Sequence, residues 1–140
     1  MKILFLCTGN RCRSQMAEGF LKALDSSLTV CSAGTFPAKN VHPKAIEVMK
    51  ERGVDISLNK PKNVSQYLDT SWDYVVTVCD KAKESCPFFL GGVKNRIHLG
   101  FDDPDAFRGT KTEILQEFRR VRDEIDMAVR RAFYDTIIHR

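Results

Sequence analysis

The sequence predicts an α/β fold: a four-stranded parallel sheet with helices on both faces, a single three-layer domain spanning residues 1–140. Three observations lead there. Short apolar runs alternate with segments of helical period, and the last third of the chain carries one long amphipathic pattern. A length of 140 residues, 43% hydrophobic and 29% charged, suffices for one compact core and is too short for two. Parallel strands need crossover connections, and right-handed crossovers distribute helices to both sides of the sheet.

The elements follow in order. Residues 2–6 are a short apolar strand ending in a glycine-containing loop, and residues 15–24 place Met16, Phe20, Leu21 and Leu24 on one helical face. A second strand over 28–32 runs into Ala33-Gly34. Pro43 sits where helices begin, with Ala45, Ile46 and Met49 as the inward stripe and Gly53 as the stop. Residues 55–71 are weakly patterned and hold one short helix, whereas 74–78 are β-branched and apolar enough for a buried central strand. Residues 96–100 read as the last strand. From Thr112 onward, Ile114, Phe118, Val121, Ile125, Val129 and Ala132 recur at steps of four and three, a long closing helix.

Composition narrows the function. The formal net charge of +4, from 22 basic and 18 acidic residues, is spread over helical segments; it suits small anions and does not suggest nucleic acid. No apolar run approaches the roughly 20 residues that cross a bilayer, and the opening strand leads straight into polar Thr8-Gly9-Asn10, unlike a signal peptide. A cytoplasmic monomer with no membrane contact is expected. Five cysteines, at 7, 12, 31, 79 and 86, form an odd set without a C-x-x-C pair, and none of the three histidines has ligand spacing to a cysteine. Neither structural disulfides, nor a metal, nor a cofactor is expected. Nucleophilic or redox chemistry is the better use for these thiols.

The segment Cys7-Thr8-Gly9-Asn10-Arg11-Cys12-Arg13-Ser14 joins a strand end to a helix start and has the form C-x5-R-S. Consecutive backbone N–H groups in such a loop make an anion-binding nest, and the helix N-terminus adds partial positive charge. Arg13 can clamp a tetrahedral oxyanion with two parallel donors. A thiol at the centre of that field is expected to ionise below its free pKa of about 8.5 and act as a nucleophile. Ser14 can donate to the thiolate and Asn10 can hold the loop's shape. Arg11 either adds anion attraction or points to solvent. Cys12 either pairs off-path with Cys7 or packs as a small apolar residue, as Cys31 does in its strand.

This run, continuing as Gln15-Met16-Ala17-Glu18, resembles the low-molecular-weight protein tyrosine phosphatase superfamily, as do Ser32-Ala33-Gly34, His42-Pro43-Lys44-Ala45 and Asp102-Asp103-Pro104 in the same order. The resemblance covers nearly the whole chain and implies that superfamily's fold, with Asp103 as general acid. A loop carboxyl near the thiolate suits protonation of a leaving oxygen. Tyrosine phosphatases typically follow Asp-Pro with two tyrosines, and here Asp105-Ala106-Phe107 stand instead. Some relatives hold potassium through residues matching Asn10, Glu18 and Ser32, but the position of a further carboxylate carries Lys62, so no metal is expected.

Within the superfamily, Val76-Thr77-Val78-Cys79 through Cys86-Pro87, Gly100-Phe101-Asp102-Asp103-Pro104 and the 117–125 stretch are similar to the thioredoxin-coupled arsenate reductases. That resemblance implies that Cys7 attacks arsenate, Cys79 displaces arsenite to form a Cys7–Cys79 disulfide, and Cys86 takes over Cys79 for reduction by thioredoxin. Phosphate and sulfate would compete for the loop, and residual phosphatase activity is expected. The alternative is a phosphatase working through a phosphocysteine, its extra cysteines incidental. If Cys79 and Cys86 lie on one helical segment, their Cα atoms are about 10 Å apart, beyond the roughly 4.4–6.8 Å a disulfide allows, so the segment must unwind on oxidation.

Overall fold

The computed structural model describes residues 1–138. Four strands, β1 (Lys2–Cys7), β2 (Thr29–Gly34), β3 (Trp72–Thr77) and β4 (Val93–His98), form one parallel sheet in the order β2-β1-β3-β4. The helices are α1 (Arg13–Leu24), α2 (Pro43–Lys50), the short α3 (Asp80–Glu84) and α4 (Lys111–Ile138), with 3-10 turns at Val64–Tyr67 and Pro104–Ala106. Successive side chains of a strand point to opposite faces, and Ile3, Leu4, Phe5 and Leu6 are all fully buried, so β1 is covered on both sides. Among the described residues no helix is long and apolar enough to cross a membrane.

Register brings the strand ends together. Cys7 pairs with Gly34, Leu6 with Thr77, and Thr77 with His98, so the loops after β1, β3 and β4 leave from one edge, where parallel sheets place their sites. Gly34 is required at this edge because a Cβ there would run into the Thr8 carbonyl. Pro43 opens α2, His42 caps it by accepting the Lys44 N–H at Nδ1, and Gly53 at φ 74° ends the turn that follows.

Several expectations need correction. The last strand runs over Val93–His98, three residues earlier than its apolar signal, because the Trp72 N–H bonds the Gly92 carbonyl and zips β4 onto β3 from that point. Lys94, Asn95 and Arg96 point to solvent on this outer strand, so its first half carries little hydrophobic signal. Helix α1 begins at Arg13 rather than residue 15, and β2 extends to Gly34. In α4 the inward position is Phe133, not Ala132, which is exposed. Phe133 meets Phe5 and Tyr74 edge-on with ring centroids 6.4 and 5.2 Å apart. Cys31 lies in outer strand β2 and is half-buried, not core.

Candidate active site

Asn10 organises the loop after β1. It takes the left-handed conformation, φ 51°, and is fully buried. Its Nδ2 donates to Ser14 Oγ at 2.8 Å and Ser32 Oγ at 2.9 Å, while Oδ1 accepts from Gln15 Nε2 at 3.0 Å and the Lys62 N–H at 2.9 Å. Because Ser14 Oγ already accepts from Asn10, its own proton is free to donate to Cys7 Sγ, 2.8 Å away. The Asn10 N–H points at the same sulfur from 3.1 Å. Cys12, the residue before α1, makes no side-chain cap, which leaves first-turn N–H groups available to an oxyanion.

Burial pushes the Cys7 thiol above its ordinary pKa and outweighs the opposing hydrogen bonds of Ser14 and Asn10 and the charge of Arg13. The depressed pKa expected from the sequence is therefore corrected: the positive field is present, but desolvation is larger. Burial also pushes the Cys12 thiol up, which suits a packed residue rather than a second nucleophile.

Arg13 Nη1 donates to the Phe101 carbonyl at 3.0 Å, and Nη2 lies 3.8 Å from Asp103 Oδ2. Asp103 caps the Pro104–Ala106 turn by accepting the Asp105 N–H at Oδ1. The two neighbouring carboxylates part company here: Asp102 turns away to Arg120 at 2.9 Å, and Asp103 faces the loop. Arg11, whose direction was open, reaches Asp105 Oδ2 at 2.9 Å; His42 Nε2 lies 3.2 Å from Oδ1 of the same carboxylate. At Glu18, which is 3% exposed, the Lys22 and Lys62 ammonium groups stand 3.2 and 3.9 Å from the carboxylate.

Cys79 follows β3, is buried, and accepts the Ala82 N–H at the start of α3; Thr8 Oγ1 is 3.5 Å from its sulfur. Cys86, half-buried beyond α3, accepts from Arg96 Nη1 at 3.1 Å, and that guanidinium lies 5.7 Å over the Phe89 ring. All five cysteines are free thiols. Two clefts share Thr8, Arg13 and Asp103. One, of about 310 Å³, has Cys7 with Arg11, Ala38 and Asp105 in its wall; the other, of about 640 Å³, contains Cys79, Asp80 and Lys81.

Sequence reasoning placed Cys7, Thr8, Gly9, Asn10, Arg11, Cys12, Arg13 and Ser14 in one loop, and the structure brings that loop, Asp103 and Cys79 to a common edge. Cys86 stands apart, against β4. His42, Asp105, Arg96 and His98 were missed as neighbours of the site. His42 and Asp105 lay within quoted motifs, but their meeting is a long-range contact that no local pattern announces.

A buried strand-end cysteine under a helix-opening loop, with an arginine clamp and a facing Asp-Pro turn, defines a class. The chain belongs to the low molecular weight phosphotyrosine protein phosphatase family, whose pattern it matches over residues 2–138. Its curated relatives include an arsenate reductase of Halalkalibacterium halodurans, 47% identical over 129 residues and 91% of each chain. Among solved structures, an arsenate reductase in its phosphate-binding state superposes with a TM-score of 0.81 at 31% identity, over 97% of this chain and 98% of that one. Another, in an oxidised state, gives 0.80 at 30% identity over 96% and 97%.

Proposed function

We propose that the protein reduces arsenate to arsenite through Cys7, Cys79 and Cys86. The observation that carries this reading is the placement of Cys79, buried at the end of the strand next to β1 and within reach of Thr8 of the oxyanion loop. A hydrolytic phosphatase has no use for a second thiol there. The arsenate reductases among its relatives, one of them solved in an oxidised state, support the same direction.

The steps balance. The Cys7 thiol, held by Ser14 and Asn10, gives up its proton and attacks arsenic, while loop N–H groups and Arg13 hold the oxyanion and Asp103 protonates the departing oxygen as water. Cys79 then attacks the Cys7 sulfur. The S–As bond breaks with its electron pair remaining on arsenic, which leaves as arsenite, and a Cys7–Cys79 disulfide forms. Cys86 attacks the Cys79 sulfur, releases Cys7 as a thiolate and leaves a Cys79–Cys86 disulfide. A dithiol reductant of the thioredoxin class returns both thiols. Cys79 caps α3 and Cys86 lies beyond its end, so the two do not share the one helical segment supposed from the sequence; closing that disulfide moves Cys86 away from Arg96.

The test is NADPH oxidation on adding arsenate to the protein with thioredoxin and thioredoxin reductase, beside Cys86→Ser and a para-nitrophenyl phosphate assay. Arsenate-dependent oxidation that the variant loses is expected. No oxidation, with phosphate release that Cys86→Ser leaves intact, would establish a phosphatase working through phosphocysteine.

A further inference from the structure

The chemistry proposed above leaves Arg11, Asp105 and His42 unused, yet these three side chains join the oxyanion loop to the loop that carries Asp103. Arg11 Nη1 donates to Asp105 Oδ2 at 2.9 Å, and His42 Nε2 lies 3.2 Å from Oδ1. The His42 ring has its Nδ1 occupied by the Lys44 N–H and burial holds its pKa below the ordinary histidine value, so the ring is neutral with its proton on Nε2, aimed at Asp105. The ring also packs on Phe118 at 4.7 Å between centroids, and the His42 N–H bonds the Arg11 carbonyl at 3.1 Å. Asp105 is therefore fixed from two sides, and its own N–H binds Asp103 Oδ1 at 3.0 Å.

A part-exposed ion pair of this kind adds little to stability. Its position is what matters. The bridge lies in the wall of the roughly 310 Å³ cleft that holds Cys7, together with Ala38 and Asp103. In a displacement by Cys7 the leaving oxygen faces away from the sulfur and toward Asp103. In the cleft that holds Cys7, whatever is bonded to that oxygen lies against Asp105 and Arg11. Arsenate has only a hydroxyl there, whereas an aryl ester has a ring, and seating a ring would set the Asp105 carboxylate against an apolar surface and draw Arg11 away from it. The other cleft, of about 640 Å³, is open on the side where Cys79 must approach and is lined by the charged Asp80, Lys81 and Asp102.

We propose that the Arg11–Asp105 bridge, braced by His42, is a specificity bar that admits a free tetrahedral oxyanion and obstructs its aryl ester. The proposal rests on the reading of Cys7 as nucleophile and Asp103 as acid. Asp105→Ala removes the bar while leaving the backbone N–H that positions Asp103; Asp105→Asn keeps the shape but weakens the pairing.

The experiment measures kcat/KM for para-nitrophenyl phosphate, the inhibition constant of inorganic phosphate, and kcat/KM for arsenate in the coupled assay, for the protein and both variants. The expected result is a gain of about 10-fold for the ester in Asp105→Ala, carried mainly by KM, with a smaller gain in Asp105→Asn. Arsenate turnover and phosphate inhibition stay within about threefold. An unchanged or reduced ester rate overturns the bar. So does an equal gain in all three quantities, which would mean that freed Arg11 attracts every anion alike. Failure of the functional reading looks different: the unmodified protein would then hydrolyse the ester without reducing arsenate, whatever the variants did.

Discussion

Cys7 and Cys79 end up at neighbouring strands of one sheet, but the segments that follow them are built in opposite ways. After Cys7, the side chains of Asn10, Ser14 and Gln15 are fully buried, and each has hydrogen-bond partners inside the protein. Among the described residues no buried side-chain polar atom lacks one. After Cys79 comes a five-residue helix with Ala82 as its buried side chain; Asp80, Lys81, Lys83 and Glu84 are exposed, as are Phe88 and Leu90 at 77% and 74%. Its ties to β4 include His98 to Asp80 at 3.0 Å, Arg96 to Cys86 at 3.1 Å and the Arg96 guanidinium over the buried Phe89 ring.

The difference follows from what each segment has to do. A loop that stabilises developing charge must not reorganise during the reaction, so its donors are locked in place beforehand. A segment that carries a disulfide outward must unfold locally at low cost, and few buried contacts make that cost low.

Substitutions can break this contrast from either side. The largest effect is expected from Cys86→Ser, which should confine arsenate reduction to a single turnover while para-nitrophenyl phosphate hydrolysis stays within about twofold, since the loop chemistry does not use it. Next comes Arg13→Lys: losing the two-pronged donor and the anchor on Phe101 should lower kcat/KM for both substrates by about 10²-fold. Asn10→Ala, which strips the hub from a buried network, should cost about 2–4 kcal/mol in denaturant unfolding.

Ser14→Ala has a smaller effect with a definite sign. The thiolate is the reactive form, so alkylation of Cys7 by iodoacetamide rises with pH. Ser14 pulls the thiol pKa down against burial, so its removal moves the midpoint to higher pH and lowers the rate at neutral pH. Smallest is Asp80→Ala on the exposed relay segment, expected to leave Tm within about 1 °C, because exposed pairs contribute little. A large destabilisation there would erase the contrast.

How much of this could be read from the sequence depended on whether the cause was local. Cys7 through Ser14 is contiguous, so the strand, nest, clamp and helix start could be read together, and β1 and β3 were visible because buried central strands are continuously apolar. Strand β4 was misplaced because its pairing, not its composition, fixes its start at Val93. Phe133 was missed in favour of Ala132 because its partners Phe5 and Tyr74 come from distant strands. The Arg11–Asp105 pair spans 94 positions and the site's burial is a property of the whole fold, which is why neither Arg11's direction nor the upward push on Cys7 could be read locally.

The most direct test mixes the reduced protein with one equivalent of arsenate without a reductant, quenches with acid and maps the disulfides by mass spectrometry. A Cys79–Cys86 disulfide in the protein, a Cys7–Cys79 disulfide in Cys86→Ser, and arsenite equal to the disulfide formed are expected. Free thiols at Cys79 and Cys86 after exposure to arsenate, or Cys7 joined to Cys12 instead, would contradict the relay.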